Sequence, residues 1–389
     1  MRVNQALLCL TGIALAACGG GGGSGGSGSG GTSSTYPAAP QTCTDANRSA
    51  TVRDAWCWPF TAASIWNTSI GSGATFQSAQ PLQGATKVRL DDILLIQTKE
   101  TDPQRDVFAP GGLLERCTPS GSRSNPQWVG VGGLRLRFPD GYITPTLRTD
   151  YQPNLDATLL RPDNNSIAEL QPLARCESTG PLFGWTAHRS TPSHVSESLD
   201  TIRGLGDFGP HGGSALSALG GTLRLGEIPS ALPIRHVLKI LVPASRFLYY
   251  NRSTQQGYRW PALRNDSYAS SGYGGSNPEL QMGSLLAIPR TVNVDSLPLA
   301  TQAGRKIAKA LQDYGAYVAD DAYEDAFYIV AERGVASEIG ITEDGVRSGA
   351  FYNDIVAIFS RLQVVTNSRQ GNVGGGGGSI APAPPPFRD

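Results

Sequence analysis

An excess of charge of either sign is missing from this sequence: Lys+Arg and Asp+Glu both number 32 in 389 residues, for a formal net charge of zero. With no long basic run, the chain has no electrostatic footprint for nucleic acid, and no nucleic-acid partner is expected. Charged residues are sparse altogether, at 16%. No Cys-x-x-Cys or His-x-x-x-His spacing occurs, so neither a metal site nor a cofactor is expected from motif spacing. The part expected to fold holds no Gly-x-Ser-x-Gly nucleophile elbow, which argues against serine hydrolysis. It also has no Walker A or dinucleotide fingerprint in a strand–turn–helix setting. No second hydrophobic segment follows the N-terminal one, so no transmembrane helix is expected after processing.

What is present begins with export. Arg2 supplies a positive end, and Ala6–Ala14 is an apolar run too short to span a bilayer as a mature helix. Leu15-Ala16-Ala17-Cys18 then has the form of a lipobox, in which small residues admit the signal peptidase and the Cys18 thiol accepts diacylglycerol. The chain is therefore expected to be an envelope lipoprotein, with a signal peptide over 1–17 and a membrane anchor at Cys18. Two or three acyl chains give stable attachment where one does not. Gly19 stands where an aspartate would direct inner-membrane retention, so an outer-membrane lipoprotein, periplasmic or surface-facing, is expected.

Glycine is abundant, at 48 residues. The Gly/Ser-rich stretch over 18–41 reads as a flexible tether. Gly374–Gly378 and the proline run from Pro382 to Pro386 read as a disordered tail over 368–389. Between them, 42–367 is expected to be one β-rich globular domain of roughly 330 residues, ample for a core. Cys9 leaves with the signal and Cys18 is lipidated, leaving Cys43, Cys57, Cys117 and Cys176. In an oxidising compartment these suggest two disulfides. Of the three pairings, Cys43–Cys57 and Cys117–Cys176 are favoured because sequence-local closure costs less.

Within the domain, short strands alternate with turn residues. Leu134–Phe138 ends at Pro139-Asp140-Gly141, Ala157–Arg161 at Pro162-Asp163-Asn164-Asn165, and Ser166–Leu170 follows. Arg235–Val242 reads as a strand with His236, Leu238, Ile240 and Val242 on one face. Gly283–Ile288 and Ala326–Val330 read as buried strands. Two helices have period-3.6 faces: Ala303, Ile307, Leu311, Tyr314 and Val318 in the first, and Phe351, Ile355, Ile358 and Leu362 in the second. The expected fold is mainly β, a sandwich or jelly roll with a few capping helices.

Several stretches occur together: Ser64-Ile65-Trp66-Asn67, His211-Gly212-Gly213-Ser214, Gly220–Glu227, Tyr258–Ala262 and Leu311–Tyr317. The set resembles an uncharacterised family of exported bacterial (lipo)proteins, across most of residues 60–367. The resemblance implies one unit rather than two joined domains and brings no reaction with it.

The window Gly204–Ser214 is the most suggestive for chemistry. Glycines let backbone approach a ligand and expose the side chains between them, here Asp207 and His211. With Glu227 these supply candidate acid/base groups, and Arg224 a cation for a charged sugar. Trp66, Asn67, Tyr258 and Trp260 are candidate substrate contacts, because aromatic faces stack on sugar C–H faces. Trp185, Tyr249, Tyr250, Tyr268 and Tyr273 lie in similar polar, Gly-rich surroundings. Competing bland readings exist: a turn for the glycines, a surface pair for Arg224 and Glu227, a core position for His236, and core anchors for Trp66 and Trp260. His188 and His194 lie in a polar loop and are weaker candidates. The function expected is therefore carbohydrate-active, a glycoside hydrolase or polysaccharide lyase with a glycan partner. The alternative is a non-catalytic surface lipoprotein that binds glycan or protein.

Overall fold

The structure is a computed structural model that describes residues 43–79, 82–111, 116–117, 134–143, 154–185, 199–322 and 324–388. The signal, Cys18, the tether, His188 and His194 lie outside the described residues.

The fold is mainly β with few helices. Strands are β1 (Phe76–Ser78), β2 (Lys87–Gln97), β3 (Gln104–Phe108), β4 (Arg135–Arg137), β5 (Ala157–Leu160), β6 (Ser166–Ala174), β7 (Leu182–Trp185), β8 (Leu199–Thr201), β9 (Leu238–Val242), β10 (Leu285–Ala287), β11 (Ala316–Asp321), β12 (Ala326–Glu332) and β13 (Gln363–Val365). Helices are α1 (Ala244–Phe247), α2 (Ala269–Gly272), α3 (Gln302–Asp313), α4 (Val335–Glu338) and α5 (Ala350–Phe359).

The arrangement of the strands differs from the expected sandwich or jelly roll. Among the described residues they hydrogen-bond along one continuous path, β1-β13-β10-β11-β9-β12-β2-β5-β6-β7-β3-β4, with β8 on β6. The sheet is mixed: β11/β9, β12/β2, β2/β5 and β3/β7 are parallel. Parallel neighbours need covered faces, and β2 is buried nearly throughout although it contains Lys87, Arg89, Asp91 and Asp92. Those charges break the apolar pattern, which is why β2 escapes a periodicity reading.

Alternation divides the central strands between two cores. Leu238, Ile240 and Val242 face one core with Leu90, Val318, Phe327 and Ile329. On that side α3 and α5 pack through Ile307, Leu311, Phe351, Ile355 and Ile358. Asp354 of α5 ties the helices together, accepting hydrogen bonds from the Ala300 and Thr301 amides and the Thr301 hydroxyl just before α3. The first helix, expected over Ala303–Tyr317 with Gly315 near its end, stops at Asp313, and Gly315, at φ +78°, turns the chain straight into β11. Val237, Leu241, Ile93, Leu95, Tyr317 and Val330 face the second core.

Both disulfides are present in the favoured pairing, Cys43–Cys57 and Cys117–Cys176. The C-terminal segment, expected to be disordered, is laid onto the domain instead. Gly71 donates to the Gly374 carbonyl, Gly73 to Gly376, and Arg53 to Pro386. The buried Arg53 guanidinium reaches the Pro385 carbonyl and lies 3.7 Å from the Phe387 ring centroid. Low-complexity composition signalled chain flexibility, but these glycines adopt left-handed φ values and let two backbones approach: a Cβ on Gly71 would lie 1.9 Å from the Gly376 oxygen. Among the described residues no helix is long and apolar enough to cross a membrane.

Candidate functional site

The second core face is not wholly apolar. Within six adjacent strands, β11-β9-β12-β2-β5-β6, all but β12 bring an ionisable group to it. Lys239 alternates with Val237 and Leu241 on β9, and Asp91 shares the parity of Ile93 and Leu95 on β2. Asp156, one residue before β5, shares the parity of Leu160, and Glu169 that of Ile167 on β6. Asp320 reaches the same face through an irregularity. The β11/β9 register shifts between Val318 and Asp320, so Asp320 pairs with Leu241 while Val318 pairs with Ile240. Strict alternation would have sent Asp320 into the helix-covered core with Val318; the bulge re-aims it.

The glycine-rich window closes over this patch. Gly209 donates to Ala215, His211 to Leu216 and Ser214 to Ala319, and Gly213 donates to Asp320 Oδ1 at 2.7 Å. Gly212, at φ +58°, and Gly213 are required by close approach. A Cβ on the first would stand 2.4 Å from Asp320 Cγ and one on the second 2.6 Å from Asp266 Oδ1. The Gly212–Gly213 peptide thus sits between two carboxylates. His211 is fully buried, with Nε2 3.0 Å from Asp91 Oδ2. Single donor atoms of Asp91, Asp156 and His211 all lie within 4.8 Å of one another.

Towards the surface the cluster continues. The Tyr273 hydroxyl donates to Asp266 Oδ2 at 2.7 Å, Tyr268 donates to Asp321 at 2.9 Å, and Asn154 donates to Asp320 at 3.3 Å. Tyr273 also lines an open cavity of about 300 Å³ with Tyr249, Tyr250, Asn251, Arg252 and Ser253.

The electrostatics follow from crowding like charges under a low-dielectric cover. Burial first, then Asp91 and Asp320, push the Asp156 carboxyl well above its usual range. Burial and Asp266 do the same for Asp320. Burial also raises Asp266, opposed by its bond from Tyr273. Burial, with Lys239 behind it, lowers His211 to about 4, so its imidazole is neutral at neutral pH. Lys239 is pushed down to about 8 by burial against the pull of Glu169, Asp156 and Asp91. Its amine donates to the Ser217 and Ala218 carbonyls at 2.6 and 2.9 Å. Glu169 Oε1 accepts from Thr158, Ser217 and the Leu219 amide.

Of the residues singled out in the sequence, His211 is at this centre. Asp207 is half-buried on the loop leading to it. Glu227 belongs to a different network: it pairs with Arg48 at 3.1 Å and His236 at 3.1 Å and accepts from the Arg224 amide. Burial alone would raise its carboxyl, but His236, Arg48 and that amide outweigh it and hold the group at about 2. Arg224 is buried and pairs with Glu332 at 2.9 Å, so it is neither a surface partner of Glu227 nor open to a sugar. Trp66 is a core anchor, edge-on to Tyr317 and covered by Gly220 and Gly221. Asn67 is buried too, its amide donating to the Pro59, Phe60 and Thr61 carbonyls. Tyr258 packs on the helix-covered core and Trp260 on the opposite one, so they do not make one stacking platform.

Asp91, Asp156, Asp320, Lys239 and Glu169 were not legible as a site. Their one signal is a charge at a strand position whose neighbours of the same parity are apolar, as in Leu90-Asp91-Asp92-Ile93 and Val318-Ala319-Asp320. The chain matches no protein-family model, no curated protein and no solved structure.

Proposed function

We propose that this protein is an envelope-anchored lipoprotein that acts on polysaccharide, as a glycoside hydrolase or lyase. Its reacting groups are the carboxyls flanking the Gly212–Gly213 peptide. The observation behind this is the double role of Tyr273. It forms a wall of the cavity lined by Tyr249, Tyr250 and Arg252, and its hydroxyl holds Asp266. An aromatic, polar-rimmed hollow suits a sugar ring. One side chain away lie two carboxyls, Asp266 and Asp320, that repel each other and cannot both ionise freely. Such a pair keeps one proton to give to a leaving oxygen while the other member acts as base. Arg252 on the cavity wall would pair with a uronate carboxylate. Arg224 and Glu227, expected earlier for these roles, are engaged inside the fold.

The test is a product screen by mass spectrometry. The full chain, purified in detergent, is incubated with neutral and uronate-containing polysaccharides, beside Asp320→Asn and Asp266→Asn. The expected result is chain shortening by the unmodified protein and a loss of about 10²-fold or more in each variant. Binding without turnover on every polymer would reject catalysis in favour of a non-catalytic glycan-binding module. Neither binding nor turnover would reject both readings.

A further inference from the structure

We infer that Asp91, Asp156 and His211 form a binding site for one divalent transition-metal cation of the Mn²⁺ or Zn²⁺ class. The site lies beneath the carboxyls flanking Gly212–Gly213, and the inference does not depend on what polymer the protein acts on.

The geometry is the first ground. Three donors from three separate parts of the chain, β2, the residue before β5 and the glycine-rich loop, bring single ligand atoms within 4.8 Å of one another. Metal–donor bonds of ~2.0–2.2 Å would require a modest closure from that spacing. Two carboxylates and an imidazole form a mixed oxygen–nitrogen set, which suits Mn²⁺ or Zn²⁺ better than the all-oxygen shells of Ca²⁺ and Mg²⁺.

Unmet bonding is the second ground. Asp156 is 1% exposed, yet among the described residues its Oδ1 has no hydrogen-bond partner, and its Oδ2 has only the Gln171 amide at 3.3 Å. His211 is 0% exposed and its Nδ1 likewise has no partner among the described residues. A buried acceptor left unsatisfied costs about 1–3 kcal/mol, more if charged, and folded chains rarely tolerate it without a ligand or water. The buried cation nearby does not meet this need: two of the three Lys239 N–H donors go to the Ser217 and Ala218 carbonyls, and no Lys239–Asp156 hydrogen bond occurs among the described residues. The cluster concentrates Asp91, Asp156 and Asp320 near one ammonium. A divalent ion would relieve that repulsion and use the free lone pairs together. Three protein ligands leave positions open to water or a substrate hydroxyl.

Local motif spacing is silent here because the ligands are 65 and 55 residues apart, brought together by parallel β2/β5 pairing and the loop fold.

The full chain, stripped with EDTA and dialysed, is titrated with MnCl₂ and followed by electron paramagnetic resonance and by thermal melting. The expected result is one bound Mn²⁺ per chain, ¹⁴N modulation from a directly coordinated imidazole, and a raised melting midpoint. His211→Gln should remove the nitrogen modulation, and Asp156→Asn should weaken binding by ~10-fold or more. Absence of bound Mn²⁺ together with no Zn²⁺ by calorimetry would overturn the proposal. So would Mn²⁺ bound without ¹⁴N coupling, a result read on the unmodified chain and independent of whether any variant folds.

Discussion

Glu227 illustrates how one side chain is held by its surroundings. It is 4% exposed, and its carboxylate bonds Arg48, His236 and the Arg224 amide at once. Removing one member of a buried pair leaves the other charge uncompensated, so Glu227→Ala should destabilise the fold by about 3 kcal/mol or more in urea unfolding. The pH dependence follows from the depressed carboxyl. Its ordinary value is 4.5 and its folded value about 2. The folded state therefore gains stability from the ionised form that is complete above 4.5 and is lost as pH falls towards 2. Unfolding measured through that window should show a steep acid loss in the unmodified protein and a shallower one in Glu227→Gln. Equal slopes would mean that other groups govern acid stability. His211 is held differently: among the described residues its ring has one partner, Asp91, and its Nδ1 has none.

At the scale of elements, two constraints anchor the β-rich core. Cys43–Cys57 closes a loop with a sequence separation of 14 beside the Arg48–Glu227 network. Cross-links of that span restrict the unfolded chain by about 3 kcal/mol. Replacing both cysteines by serine should lower stability by about that amount while leaving the far-ultraviolet circular dichroism of the folded state unchanged. A loss below ~0.5 kcal/mol would mean the strands alone hold this region. The β11 bulge is the second constraint, because it alone sends Asp320 to the polar cluster. Helices α3 and α5 were readable because their apolar positions recur with period 3.6. Strands β5, β10 and β12 were readable because each is a largely apolar run, and β6 was read over its first half, Ser166–Leu170, which follows a turn. Strand β2 was not, because its alternate positions are charged, and only neighbours on both sides make that affordable in free energy. The end of α3 falls where Gly315 signals it: Val318 continues the helical period in sequence, but Gly315 breaks the backbone before it.

At the scale of the whole molecule, the C-terminal segment acts as a strap. Arg53 donates to the Pro386 carbonyl through its backbone and to the Pro385, Trp58 and Phe60 carbonyls through its guanidinium, and Arg388 donates back to Arg53. Cutting the chain after Gly378 would leave Arg53, 2% exposed at present, without the strand-like partner and the Phe387 ring. The truncated protein should melt at least ~2 °C lower, given ~2–4 °C per kcal/mol in domains of 150–250 residues. An unchanged midpoint would show that the segment is carried passively.

The sequence by itself determined what depends on near neighbours: the mainly β class, six of the thirteen strands among the described residues, the two long helices, and the pairing of four cysteines by short closure. Periodicity and turn chemistry act over a few residues, so they survive without knowledge of the fold. Tertiary structure alone decided which charges meet. Asp91, Asp156, His211, Asp266 and Asp320 come from five separate parts of the chain, and whether they share a face depends on strand order, parallel register and one bulge. Burial then decides their chemistry, because a carboxylate costs little in water and a great deal beneath a closed loop, and no pattern of single residues records which of the two it will meet.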